Sequence, residues 1–384
     1  MDQRAIAAGI ERILRRAVDD GTLPSAVCAV AVRGQRWPVI AVGDAVRCGE
    51  DGAQLPPASR PAAGPDTFYD LASITKILTA LTALTLVEAG LLDLDRPLAH
   101  WLAEYRSAGR ESATLRQLLT HTAGLPPTWG GWRKALEAGM PFDRAALLAD
   151  LLTVPLTEAS GARFEYSCVG YNTVMALAER ATGQRWRDLV EAKVLSRLPG
   201  GLNFAPAPEE CAATELMPEL GRGLVRGSVH DEAAWSLGGA CGNAGLFGTA
   251  AGLLNLGEAL RTGLTDFLTP ETAAHMWCDQ LPNSLSAART AAGPAFGHGL
   301  GLRIGETSWM GSSGRHARGH TGFTGTSLLV DRHAELTVVL LTNRVHPHRA
   351  GPDLQLLRRA VAGKVYASLP GATPERPAAR WADS

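Results

Sequence analysis

Lysine is scarce in this 384-residue chain, although the sequence contains 37 Lys and Arg residues together. Lysine occurs only at positions 76, 134, 193 and 364, so arginine carries nearly all of the positive charge. Arginine cannot give up its proton in a protein, whereas a desolvated lysine can. A lysine within a motif is therefore informative, because it allows acid–base chemistry that arginine does not.

The sequence also lacks long apolar runs and an excess of basic residues. No stretch approaches the roughly 18 apolar residues of a membrane span, and charges are spread through residues 1–16, unlike the apolar core of a signal peptide. The formal net charge of −1 offers no positive field for nucleic acid or an anionic membrane. We expect a small-molecule partner, no nucleic-acid or membrane partner, and a cytoplasmic location unless a leader was removed; the oligomeric state is left open.

Paired cysteine motifs are missing as well. No Cys-x-x-Cys spacing occurs among the scattered cysteines, which argues against a zinc site or a disulfide framework. The sequence predicts no metal and no cofactor, and most of these residues should be buried thiols: Cys28, Cys48, Cys168, Cys211, Cys241 and Cys278.

The composition that remains is typical of a soluble globular protein, with 46% hydrophobic and 20% charged residues. Strand-like runs occur near both ends of the chain, and helical patterns fill the middle. We therefore predict a sheet domain formed by residues 1–75 and 230–370, a helical domain over 76–229, and a mobile tail over 371–384.

The central motif is Ser73-Ile74-Thr75-Lys76. A serine and a lysine three residues apart lie on one face of a helix, so the amine reaches the hydroxyl if a helix begins near residue 72. A neutral, desolvated lysine could accept the hydroxyl proton and turn serine into a nucleophile. Taken alone, the motif is common, and an N-cap serine followed by a solvated lysine is the alternative interpretation.

Two further motifs follow in chain order, Tyr166-Ser167-Cys168 before a helix predicted over 171–181, and His320-Thr321-Gly322 between two strand-like runs. A glycine-rich segment over 236–248 is expected to pack tightly near the site. His121 follows a helix that opens on a capping box, and we expect it to hold a helix end rather than contact substrate.

Two other features each leave two interpretations open. Trp129 and Trp132 stand in a kinked loop that we expect at the surface, where they either line a cleft or pack the loop down. Arg344 follows the last strand-like run. It either forms a salt bridge with a substrate carboxylate or serves as a plain surface or helix-capping residue.

The three motifs in this order resemble the class C β-lactamase-like serine hydrolases, a family of penicillin-recognising fold that includes DD-peptidases, D-aminopeptidases and esterases. Segments 118–125, 245–247 and 319–325 resemble it too. The resemblance implies an α/β (α+β) fold, in which a five-stranded antiparallel sheet flanked by helices carries an inserted all-helical domain. The active site would lie between the two domains.

The resemblance also implies roles for individual residues. Ser73 would be the nucleophile, Lys76 the amine that activates it, and Tyr166 the group that carries the proton to the leaving group and later activates water. The backbone N–H groups of Ser73 and Phe323 would form the oxyanion hole. His320, Thr321 and Gly322 would line the substrate site.

Two positions depart from the family pattern. Cys168 stands where the second motif usually has an asparagine, and a thiol is a weak hydrogen-bond partner for a substrate amide. His320 stands where the third motif often has a lysine, and we expect it to be only partly charged at pH 7. Both changes point away from an efficient β-lactamase.

We therefore predict a serine hydrolase that acts through a covalent acyl-enzyme on small esters or D-amino-acid-containing amides. A weak class C-type β-lactamase is one alternative. The other is a catalytically silent protein that binds peptidoglycan or β-lactams, although the complete set of Ser73, Lys76 and Tyr166 argues against it.

Overall fold

The part of the chain that a computed structural model describes, residues 3–281, 285 and 296–369, forms a large antiparallel sheet with helices on both faces. The predicted mobile tail over 371–384 lies outside the described residues. The helices are α1 (Gln3–Asp19), α2 (Thr75–Glu88), α3 (Leu115–Leu119), α4 (Trp132–Glu137), α5 (Arg144–Leu152), α6 (Cys168–Thr182), α7 (Trp186–Lys193), α8 (Glu232–Ser236), α9 (Ala250–Arg261), α10 (Pro270–Trp277), α11 (Thr307–Met310) and α12 (Gln355–Tyr366).

Strands from both ends of the chain build the main sheet. Its order is β2-β1-β13-β12-β11-β10-β9, with β3 also paired to β1, and all pairings are antiparallel. The strands of the chain are β1 (Ser25–Val32), β2 (Gln35–Arg36), β3 (Ile40–Gly43), β4 (Tyr69–Asp70), β5 (Leu202–Asn203), β6 (Leu216–Met217), β7 (Gly223–Leu224), β8 (Phe247–Gly248), β9 (Gly297–His298), β10 (Arg303–Ile304), β11 (Arg318–Thr321), β12 (Ser327–Asp331) and β13 (Leu336–Thr342).

The sheet has more strands than the sequence predicts. Within the described residues it contains eight strands rather than five, of which β2, β9 and β10 have two residues each. Apolar alternation needs about four residues to be recognised, so two-residue strands leave no pattern in the sequence. The predicted class, an antiparallel sheet flanked by helices, is confirmed.

Alternating side chains of β1 supply two separate cores. Cys28 and Val30 point toward the core beneath α1 and α12, whereas Val27, Ala29 and Ala31 join a larger core on the face covered by α9. Successive residues of a strand point to opposite faces, so a continuous apolar run can serve both sides of a sheet. The larger core continues without a break into the helices that carry the site.

Helix α2 runs through the larger core and contacts α6 and α7. Every residue from Thr75 to Leu86 is buried, including the four threonines and Lys76. A helix that is apolar around most of its circumference is stable only when it is surrounded by protein. The first turn of α2 is therefore held rigidly on all sides.

No helix in the described ranges has the length and apolar character needed to cross a membrane.

Candidate active site

Ser73 lies in a 3₁₀ turn over Ala72–Ile74 that leads directly into α2. The turn is tied to the segment before β8 from two directions, since Leu71 N–H donates to Leu246 O at 2.9 Å and Leu246 N–H donates to Thr75 Oγ1 at 3.2 Å. These bonds hold the residues on both sides of Ser73 in place. Ser73 is partly exposed, in the turn that precedes a buried helix.

A buried carboxylate, Asp70, supports the same turn. Its Oδ1 accepts from Ala72 N–H at 2.8 Å and its Oδ2 accepts from His230 N–H at 2.6 Å. Ala72 has φ +46, a left-handed conformation that costs energy for a residue with a Cβ. Burial raises the pKa of Asp70 although the two backbone N–H groups oppose that shift. Sequence reasoning missed Asp70. The signal that could have identified it is an Asx turn, in which an aspartate accepts a hydrogen bond from the N–H of the second residue after it.

Lys76 connects the nucleophile to two other segments. Its Nζ donates to Ser73 Oγ at 3.0 Å, to Asn243 O at 3.0 Å and to Cys168 Sγ at 3.5 Å. Burial alone would lower the pKa of Lys76, but the electrostatic influence of the neighbouring Cys168 and Tyr166 outweighs burial, and the pKa lies above its ordinary value. This direction favours an ammonium that donates to Ser73 over the neutral lysine that the motif alone suggested.

The third predicted residue, Tyr166, lies against this ammonium. Lys76 Nζ is 5.0 Å from the centroid of its ring. Tyr166 precedes Ser167, the N-cap of α6, whose hydroxyl accepts from Gly170 N–H at 3.0 Å and donates to Pro126 O at 2.6 Å. The structure thus brings together Ser73, Lys76 and Tyr166 from the starts of two helices.

The glycine-rich segment over 236–248 does pack tightly at the site, as predicted. Gly242 O accepts from Thr79 Oγ1 at 2.7 Å, one turn beyond Lys76. A Cβ added at Gly242 would lie 2.8 Å from the carbonyl carbon of Tyr171 in α6. Only glycine allows the segment to approach both helices this closely.

The turn after β11 lies against the turn that carries Ser73. Thr324 Oγ1 donates to Asp70 O at 2.7 Å, and Thr326 Oγ1 donates to Leu71 O at 3.2 Å. Gly322 makes this contact possible, because a Cβ there would lie 2.6 Å from Leu71 O. The predicted oxyanion-hole residues, Ser73 and Phe323, therefore stand on adjoining turns.

His320 is buried and neutral, so the expected partial charge is wrong. Its side chain is 1% exposed, and Nδ1 donates to Thr321 O at 2.8 Å. Burial, followed by the positive charges of Arg303 and Lys76, lowers the pKa of His320 well below its ordinary value. Of the two residues that follow His320, Thr321 is partly exposed and Gly322 is buried.

Arg303 is a charged neighbour of Tyr166 that sequence reasoning missed. It lies on β10 opposite His298 of β9, and its Cζ is 5.2 Å from the centroid of the Tyr166 ring. Its guanidinium also forms a 2.9 Å ion pair with Glu306. An isolated arginine in a two-residue strand carries no sequence signal, because only the strand pairing brings it to the site.

Trp129 and Trp132 are not at the surface, contrary to expectation. Their exposed fractions are 8% and 5%, and Trp129 Nε1–H donates to Asp150 Oδ2 at 2.7 Å. Both rings belong to the larger core. Of the two interpretations, the geometry favours packing of the loop.

Arg344 braces the turn that carries Phe323. Its guanidinium donates to Phe323 O at 2.9 Å, Gly351 O at 3.0 Å and Pro352 O at 3.2 Å, and Cζ lies 4.9 Å from the Phe323 ring. His230 stacks on the same ring with a centroid distance of 5.7 Å. These bonds favour a structural role for Arg344 over a salt bridge to substrate.

In the part of the chain that the structure describes, no group of three or more His, Cys, Asp or Glu side chains is arranged to hold a metal ion.

A Ser-x-x-Lys pair with a buried lysine that faces a tyrosine, on helices packed beside an antiparallel sheet, defines the serine hydrolases of the β-lactamase fold. The family model described as Beta-lactamase matches residues 10–363. The chain belongs to the beta-lactamase family, which confirms the predicted family, fold class and serine hydrolase activity.

Named relatives and solved structures are similar over most of the chain. It is 31% identical to Esterase EstB from Burkholderia gladioli, over 94% of this chain and 96% of that protein. It is 28% identical to N-acetylmuramyl-L-alanine amidase from Bacillus subtilis (strain 168), over 75% of this chain and 70% of that protein. The structure of EstCE1, a hydrolase with promiscuous acyltransferase activity, has the same fold, with a TM-score of 0.71, 24% identity, and coverage of 94% and 99% of the two chains.

Proposed function

We propose that this serine hydrolase is an esterase that cleaves small carboxylic esters through an acyl-enzyme on Ser73. One observation carries the proposal: Lys76 Nζ donates to Ser73 Oγ at 3.0 Å and to the Cys168 thiol at 3.5 Å. The serine and lysine needed for acyl transfer are in contact. The second motif contributes the thiol of Cys168 beside them and no side-chain amide.

Acylation follows from the charges around Ser73. The Lys76 ammonium stabilises negative charge on Tyr166, whose ring lies 5.0 Å from Nζ. As Ser73 Oγ attacks the ester carbonyl, its proton passes to the Tyr166 oxygen, which is the base because Lys76 already holds its proton. The negative charge on the carbonyl oxygen is stabilised by the backbone N–H groups of Ser73 and Phe323.

The reaction is completed by the reverse proton transfers. Tyr166 gives its proton to the leaving alkoxide, which departs as the alcohol and leaves Ser73 acylated. Tyr166 then accepts a proton from a water that attacks the acyl carbon. It returns this proton to Ser73 Oγ as the bond between Ser73 and the acyl carbon breaks, and the carboxylic acid leaves. The ties between the 322–326 turn and residues 70–71 keep the two N–H donors in place through both steps.

The residues around the nucleophile favour esters over acylated amides. Cys168 presents a weak hydrogen-bond partner where an amide would recognise the amide of a peptide or β-lactam. His320 is neutral, so the third motif supplies no cation for a substrate carboxylate. A small ester needs neither contact. The 31% identity to Esterase EstB supports the same choice.

Hydrolysis of D-amino-acid-containing amides is the second candidate, and Arg303 is the observation that favours it. A guanidinium 5.2 Å from the Tyr166 ring is suited to bind a substrate carboxylate. The 28% identity to an N-acetylmuramyl-L-alanine amidase is compatible with amide substrates. The ion pair between Arg303 and Glu306 weakens this candidate, because a substrate carboxylate would compete with a carboxylate already in place.

Intact-mass spectrometry tests the proposal. The protein is exposed briefly to p-nitrophenyl butyrate and, separately, to a penicillin, with Ser73→Ala as the control. We expect a transient butyryl adduct in the parent protein, no adduct in Ser73→Ala, and slow or no clearance of any penicilloyl adduct. Rapid clearance of the penicilloyl adduct would instead identify a β-lactamase. An adduct retained in Ser73→Ala, or no adduct and no turnover with either compound, would refute the proposal, and the second result would favour a silent binding protein.

A further inference from the structure

His121 holds the backbone on both sides of Tyr166. Glu165 N–H donates to His121 O at 2.8 Å, and Ser167 N–H donates to His121 Nδ1 at 3.0 Å. The imidazole also stacks on the Tyr166 ring, with a centroid distance of 4.4 Å and an interplanar angle of 35°. A single residue therefore accepts hydrogen bonds from the N–H groups of both neighbours of Tyr166 and contacts the ring itself.

His121 is itself fixed from several elements. It ends the turn after α3, where its N–H donates to Leu118 O at 3.3 Å. Tyr171 of α6 and His298 of β9 pack against the imidazole, with centroid distances of 5.0 and 5.1 Å. The side chain is 2% exposed, and the backbone has φ +59, which few residues other than glycine, asparagine, aspartate and histidine adopt readily. These contacts fix the position of His121, so that His121 can in turn fix the position of Tyr166.

The hydrogen bond to Ser167 also determines the proton position on His121. Because Ser167 N–H is the donor, Nδ1 must be an unprotonated acceptor, and the proton of the neutral ring is on Nε2. Burial, together with the positive charge of Lys76, lowers the pKa of His121 well below its ordinary value. The imidazole stays neutral at pH 7 and does not compete with Tyr166 for the proton.

We propose that His121 is the positioning residue of Tyr166, holding the peptides at 165 and 167 and the phenol ring so that its oxygen serves Ser73. His121 acts through Tyr166 and touches neither substrate nor Ser73 in this role. The inference rests on the proposed function, because it requires Tyr166 to move the proton.

Two variants separate the contacts of His121. In His121→Asn the side-chain oxygen takes the place of Nδ1, and asparagine tolerates a positive φ, so the bond from Ser167 N–H is kept. In His121→Phe the ring is kept and the acceptor is lost. We expect His121→Phe to lower kcat/KM for an alkyl ester such as ethyl butyrate by about 100-fold, the effect of a misplacement near 1 Å. His121→Asn should stay within about tenfold of the parent.

Comparing esters with two different leaving groups distinguishes a displaced Tyr166 from a general loss of stability. An alkoxide needs a proton to leave, whereas p-nitrophenolate leaves without one. A displaced Tyr166 should therefore impair ethyl butyrate more than p-nitrophenyl butyrate, and the kcat/KM ratio of the two esters should shift in His121→Phe as it does in Tyr166→Phe. The folded fraction of each variant is measured by urea denaturation. Equal losses of kcat/KM for both esters in folded protein would overturn the proposal.

A double-mutant cycle tests whether His121 acts through Tyr166. In the Tyr166→Phe background, His121→Phe should cause no further loss in kcat/KM. The same fold-loss in both backgrounds would overturn the positioning role while leaving the proposed function intact. No effect of Tyr166→Phe itself would refute the assignment of Tyr166, and the inference with it. If His121→Phe does not fold, His121→Gln replaces it, because its amide lies one carbon farther out and cannot occupy the place of Nδ1.

Discussion

Replacing Gly322 with alanine should displace the turn that carries the Phe323 N–H. The added Cβ would lie 2.6 Å from the backbone oxygen of Leu71, well inside the 3.4 Å at which ordinary contact begins. The Cβ would also clash with the Thr326 side chain, but the Leu71 oxygen is a backbone atom of the turn that holds Ser73 and cannot rotate away. The turn over 322–326 must therefore move away from residues 70–71.

The structure sets the size of this effect. Relief of the clash requires a movement close to about 1 Å, and a displacement of that order at a reacting centre costs about 100-fold in rate. Loss of a single oxyanion-hole donor has a cost of about 100- to 1,000-fold in kcat. The hydrogen bonds from Thr324 to Asp70 O and from Thr326 to Leu71 O are weakened as well. At about 1 kcal/mol each, they contribute about 2 kcal/mol to the free energy of unfolding.

The assay compares Gly322→Ala with Gly64→Ala, which makes the same chemical change without a clash. Gly64 lies in a loop, and the nearest atom to an added Cβ is Thr67 Oγ1 at 3.9 Å. We expect kcat/KM for p-nitrophenyl butyrate to fall about 100-fold in Gly322→Ala and to stay unchanged in Gly64→Ala. Urea denaturation should show a loss of about 2 kcal/mol in the first variant only. Activity of Gly322→Ala within about threefold of the parent would refute the reasoning.

Two further predictions concern Cys168 and His346. Cys168→Asn should raise nitrocefin turnover relative to p-nitrophenyl butyrate turnover by about tenfold, because an amide restores the missing substrate contact; an unchanged ratio would contradict the explanation of ester preference. His346 is buried, with Nε2 accepting from Arg47 N–H and Nδ1 donating to Thr214 O, and burial lowers its pKa from 6.5 to about 4. Its stabilising contribution is therefore complete above about pH 6.5 and is lost as the pH falls toward 4, by about 2 kcal/mol at pH 5. Urea denaturation at pH 7.5 and pH 5 should show a correspondingly smaller pH dependence in His346→Gln, and an equal dependence in both proteins would show that His346 is not responsible.

Local patterns in the sequence predicted the parts of the site that depend on neighbouring residues. Ser73 and Lys76 meet because residues three apart share a helix face. The capping box at Thr114 is present, with its hydroxyl accepting from Gln117 N–H at 3.3 Å and its own N–H donating to Gln117 Oε1 at 3.0 Å. Gly183 ends α6 in the left-handed conformation, with φ +70.

The sequence by itself thus determined the helix that follows Ser73, the strands near both chain ends and the order of the three motifs, because these follow from backbone preferences and spacing over a few residues. Only the tertiary structure decided the charges of the site. Lys76 stays protonated and His320 neutral because of what surrounds each of them after folding. The tertiary structure also brought Arg303 to Tyr166 and buried Trp129. Burial and contacts between distant segments depend on how the whole chain packs, and no short stretch of sequence specifies them.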